Sequence, residues 1–155
     1  MALSLFSNIM DKSPWVVHVN CNSCNGCDIE YLACITPLYD AERFGVKNIG
    51  SPKHADIMLV TGSVNHKNVS VLKNIYDQIP EPKAVVAVGA CACSGGIFHD
   101  CYNVIGGVDK ILPVDVYVSG CCPKPESIMD GILEAAAIVE KRRRELKNKE
   151  VAATK

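Results

Sequence analysis

Three near-continuous apolar runs constrain this 155-residue chain more than any other feature: ADIMLVTG at 55–62, AVVAVGAC at 84–91 and DVYVSGCC at 115–122. Each reads as a strand apolar on both faces, and glycine marks each exit. The intervening segments carry a different period. Val69, Leu72, Ile75 and Ile79 recur at helical spacing until the Pro80–Pro82 segment. From Pro125 a second such pattern runs through Ile128, Met129, Ile132, Leu133, Ala136 and Ile138–Val139, then turns polar at KRRRELKNKE. Strands buried on both faces and alternating with helices predict a parallel sheet covered on both sides.

The remainder fits one domain, as the length does. WVVHVN (15–20) reads as a strand running into CNSCNGC. Asp28 is a candidate N-cap for a helix from Ile29 to about Thr36, which Pro37 ends. Val46–Ile49 is a short strand candidate. The expected architecture is a single doubly wound α/β domain, flavodoxin-like in style, with its site at the C-terminal edge of the strands. We divide the chain into an arm at 1–14, the α/β domain at 15–140 and a charged tail at 141–155. That tail reads as a solvated helix end, its basic residues suiting the negative pole of the helix.

Composition removes several function classes. With 48% hydrophobic and 21% charged residues, an intrinsically disordered chain is excluded. Sixteen basic residues against 17 acidic ones leave no electrostatic footprint for general nucleic-acid binding. No apolar run approaches the roughly 20 residues that span a bilayer. The N-terminus, MALSLFSNIMDKSPW, lacks the basic front and apolar stretch of an export signal, so a cytoplasmic protein is expected.

Nine cysteines then point to chemistry: 21, 24, 27, 34, 91, 93, 101, 121 and 122. The odd count and missing export signal argue against a disulfide framework and for metal or redox chemistry. Three strands end in cysteine, and the carboxyl ends of parallel strands share one edge. Residues 24, 27, 91 and 121, distant in sequence, are therefore expected to converge there. Gly26, Gly89 and Gly120 adjoin those thiols and let backbone N–H groups approach a bulky inorganic group. Cys27 is expected at a helix N-terminus, whose positive pole favours thiolate. A rival set exists: Cys21, Cys24 and Cys27 have ferredoxin spacing, with Cys122-Pro123 as the Cys-Pro. A four-thiolate zinc site is a further alternative, although only one short Cys-x-x-Cys knuckle pair is matched. His18, His54, His66 and His99 are scattered and read as structural or exposed, Asp28 and Glu30 as helix-start acids.

CNGCDIE (24–30), VGACACSGG (88–96) and VSGCCPKP (118–125) together resemble the small, electron-transferring subunit of energy-converting membrane-bound [NiFe] hydrogenases. That family is similar to the subunit of respiratory complex I that carries its terminal cluster. The resemblance covers roughly residues 15–135, with the motifs in the family's order. It implies one proximal [4Fe–4S] cluster held by Cys24, Cys27, Cys91 and Cys121. Cys-Asn-Gly-Cys, where complex I relatives carry adjacent cysteines, favours hydrogenase over a complex I-like dehydrogenase. Cys122 is a departure, standing where relatives commonly have proline. The resemblance further implies a [NiFe] large subunit, a ferredoxin-like two-cluster subunit and integral membrane subunits as partners. The chain would then be an electron-carrying, non-catalytic subunit, peripheral on the cytoplasmic face of the membrane.

Overall fold

A computed structural model describes residues 13–153. Its centre is a five-stranded, all-parallel sheet of β1 (Trp15–Asn20), β2 (Lys47–Ile49), β3 (Ile57–Thr61), β5 (Ala84–Val88) and β7 (Val116–Val118), in the order β2-β1-β3-β5-β7. Among the described residues, four α-helices accompany it: α1 (Gly26–Ile35), α2 (Val69–Gln78), α3 (Gly89–Ser94) and α4 (Pro125–Ala153). A two-stranded antiparallel ribbon, β4 (Val64–Asn65) with β6 (Val104–Gly106), stands apart from the sheet. The expected arm falls almost entirely at residues 1–12, outside the described residues.

Side-chain alternation on the strands explains the two-sided burial. Ile57 and Leu59 of β3 join Val86 and Val88 of β5 in one core, with Tyr31, Ile128 and Ile132. Met58, Val60, Val85 and Ala87 point the other way, into a second core with Leu72 and Ala92. Every residue of β3 and β5 is buried, which is why both read as unbroken apolar runs. The doubly wound expectation holds, with helices on both faces.

Three local readings need correction. The 84–91 run is not all strand: β5 stops at Val88, and Gly89, at φ +86°, turns the chain into the short helix α3. Cys91 therefore sits on a helical turn. Helix α1 begins two residues before Asp28, with Asn25 in the cap position, so Asp28 is not the cap. Helix α4 continues through the basic segment, and that segment is not wholly solvated. Arg142 pairs with Asp115, and Arg143 Nη2 lies 3.0 Å from Asp56 Oδ1. Asp115 also accepts from the Val85 N–H and Asp56 from the Trp15 N–H, so these pairs clamp α4 to the amino-terminal edge of the sheet.

Candidate metal centre

The opposite, carboxyl edge carries the cysteines. Cys24 lies in the β1–α1 turn and Cys27 in the first turn of α1. Cys91 lies in α3, and Cys121 and Cys122 lie between β7 and α4. Glycine permits the close approach. A Cβ on Gly89 would lie 2.4 Å from Cys27 Sγ, so any side chain there would displace the thiol. Gly120, at φ +144°, turns beneath Pro123 while its carbonyl accepts from the Ala90 N–H at 2.8 Å. This bond ties the Cys91 and Cys121 segments together. On the other flank, the Cβ position of Gly26 is 3.6 Å from Cys24 Sγ and 3.7 Å from Cys122 Sγ.

The electrostatics record the same convergence. Burial pushes the Cys27 thiol up to about 12, and the charges of Cys122, Cys91, Cys24 and Asp28 add to it. Burial also raises Cys91, with Cys121 and Cys24 as its charged neighbours. The expectation that the helix pole would favour thiolate at Cys27 is reversed among the protein groups alone. Desolvation and mutual repulsion win, and a bound cation would supply the compensation.

This donor set fits an iron–sulfur cluster. Cys24, Cys121 and Cys122 are exposed, Cys91 half-buried and Cys27 buried, so the thiols rim an open, sulfur-rich edge. Among the described residues no three His, Cys, Asp or Glu close on a point that could hold one metal ion. Thiolates that each take a different iron stand farther apart than ligands of a single ion. The other cysteines lie elsewhere. Cys21 is buried in the second core, and Cys34 in the first, where its thiol meets the Glu30 and Pro125 carbonyls at 3.3 Å. Cys93 points to the Ala87 and Val118 carbonyls, and Cys101 is exposed. Cys21, the first of the ferredoxin-spaced set, lies in the core on the opposite face of the sheet from Cys27.

Sequence reasoning missed a polar network under the site. Strand register puts Asn20 beside Thr61, and alternation turns His18, Asn20 and Thr61 toward α1. Asp28, 8% exposed, meets all three. Its carboxylate lies 2.9 Å from His18 Nε2, accepts from the Thr61 hydroxyl at 2.5 Å and accepts from Asn20 Nδ2 at 3.0 Å. Burial lowers the His18 pKa more than Asp28 raises it, so the ring is neutral at neutral pH and Nε2–H donates. His18 and Asp28 are thus partners, not a scattered histidine and a capping acid. His54 packs edge-on to Trp15, and His66 and His99 are exposed.

Residues 24–135 match the family described as NADH ubiquinone oxidoreductase, 20 Kd subunit. The chain is 54% identical over 124 residues to a Pyrococcus furiosus protein named probable membrane-bound hydrogenase subunit mbhJ, covering 80% of this chain and 74% of that one. It is 47% identical over 142 residues to Escherichia coli formate hydrogenlyase subunit 7, covering 92% of this chain and 55% of that one. Among solved structures it resembles a chain of the membrane-bound sulfane sulfur reductase, an archaeal respiratory membrane complex. There the TM-score is 0.73 at 41% identity, over 90% of this chain and 76% of that one. A chain of an NAD+-reducing [NiFe]-hydrogenase, at 24% identity and TM-score 0.61 over 79% of this chain and 92% of that one, shares the fold. With its cysteine-rimmed sheet edge and these matches, the chain belongs to the 20 Kd-subunit family, the small subunits shared by membrane-bound hydrogenases and NADH-quinone oxidoreductases.

Proposed function

We propose that the chain is the electron-transfer subunit of a membrane-bound, energy-converting [NiFe] hydrogenase, holding one proximal [4Fe–4S] cluster through Cys24, Cys27, Cys91 and Cys121. The observation that carries this reading is the convergence of thiols from three separate strand exits on one edge, in a chain 54% identical to a hydrogenase subunit. When bound, such a cluster takes up and releases single electrons. The chain's own residues do the rest. Cys27 and Cys91 supply thiolates from helical turns, and Gly89 leaves room for the first. The Asp28 network fixes the start of α1 and with it the Cys24–Cys27 turn.

The relatives named above belong to complexes of different chemistry, and an electron carrier is what such complexes can share. In this reading the partner sets the reaction: a [NiFe] large subunit on one side, a ferredoxin-like two-cluster subunit on the other. Among the described residues no helix is long and apolar enough to cross a membrane, so attachment would run through integral membrane subunits. The chain would sit peripherally on the cytoplasmic face. Apolar side chains beside the thiols suit docking: Ile29 and Leu32 stand exposed on α1, as do Ile97 and Tyr102 after α3. Affinity purification of the tagged chain from gently solubilised membranes tests the assignment. A nickel-containing large subunit is expected in the complex; a nickel-free dehydrogenase partner would replace hydrogenase with the complex I-like reading.

A further inference from the structure

A [4Fe–4S] cluster takes four thiolates, yet five thiols rim this edge. The fifth, Cys122, follows directly on Cys121 and occupies the other flank of the site. Its Sγ and that of Cys24 lie at nearly equal distances, 3.7 and 3.6 Å, from the Cβ position of Gly26. Its Sγ also lies 3.9 Å from Glu30 Oε1, and its charge is the first among those of the thiols acting on Cys27. Cys122 is exposed, so no core packing holds its thiol. Cys121 is, with Cys24, a charged neighbour of Cys91. Cys122 therefore stands with Cys24 and Cys27, and Cys121 with Cys91 and Cys24, within one group of thiols.

We propose that Cys122 is a second, competent fourth ligand, so that the cluster site survives loss of Cys121 by binding through Cys122. This inference rests on the cluster reading above and extends it. Exchange between the two is balanced without redox change. Where Cys121 is lost, the Cys122 thiolate would hold the same iron, its proton passing to solvent. Held by Cys122 in place of Cys121, a cluster would have one thiolate from a different backbone position, which would alter its paramagnetic signature.

The test compares the wild-type complex with Cys121→Ala, Cys122→Ala and the double variant, purified anaerobically. Iron and sulfide content and electron paramagnetic resonance of the reduced samples are measured. Cys121→Ser serves beside Cys121→Ala, and circular dichroism establishes folding. Cys122→Ala is expected to match wild type in iron content and spectrum. Cys121→Ala is expected to keep the wild-type iron-to-protein ratio with shifted g values. The double variant is expected to lose iron, leaving a three-iron species or none. Loss of iron from folded Cys121→Ala and Cys121→Ser overturns the inference but leaves the cluster reading standing. Full iron content in the double variant also overturns it. A wild-type complex whose chain carries no iron overturns the cluster reading itself.

Discussion

Cys27 and Cys91 carry the account at the scale of single residues. They lie 64 positions apart, yet both thiols are raised by burial and by the charges of neighbouring cysteines. If Cys91 is a ligand, Cys91→Ala should abolish the [4Fe–4S] resonance or leave a degraded cluster. Cys93→Ala should keep the resonance, because that thiol points to the Ala87 and Val118 carbonyls instead. The reverse result, read by electron paramagnetic resonance of folded protein, would remove Cys91 from the site. Buried thiols also set an alkaline limit on the metal-free chain. Cys21 and Cys34 are pushed up to about 11 and Cys27 to about 12, from an ordinary 9.0, chiefly by burial. The native state then holds these protons when the unfolded chain has lost them. The stability they contribute is fully present below pH 9 and is lost as pH rises through the folded values. Tyr31, raised by burial as well, acts in the same direction. The urea midpoint of metal-free protein should therefore fall between about pH 8 and about pH 10.5. A midpoint that holds or rises would contradict the burial assigned to these thiols.

Helix α1 is the element on which the site turns, and its anchor could not be read in advance. The Cys24, Cys27, Cys91 and Cys121 motifs were legible because strand exits in a parallel sheet share an edge whatever the details of packing. The Asp28 network depends on register: only the pairing of Asn20 with Thr61 brings those side chains beneath α1. Nothing in the spacing of His18, Asn20, Asp28 and Thr61 along the chain reveals that pairing. Strands β3 and β5 were legible because burial on both faces leaves an unbroken apolar run. The ribbon β4–β6 was not, since strands of two and three residues are too short to show a period. Strand β5 was read too long because Gly89 and Ala90 continue its small, apolar composition while the backbone turns. Asp28→Ala would leave His18 and Thr61 beneath α1 without their shared acceptor. Such a loss costs on the order of 1–3 kcal/mol, measurable as a lowered urea midpoint. A change within about 0.5 kcal/mol would show that the network does not hold the helix.

Across the whole molecule the two sheet edges divide the work. At the amino-terminal edge, Arg142 and Arg143 clamp α4 to Asp115 and Asp56 by ion pairs within the fold. At the carboxyl edge, the thiols of Cys24, Cys121 and Cys122 are exposed, and Ile29, Leu32, Ile97 and Tyr102 are exposed on α1 and after α3. That asymmetry suits the electron carrier within a larger complex that we propose. The central claim is one [4Fe–4S] cluster on this chain, and metal analysis tests it most directly. Anaerobically purified protein should contain about four irons and about four inorganic sulfides per chain, as one cubane on four thiolates requires. Zinc in place of iron, or about eight irons per chain, would contradict it.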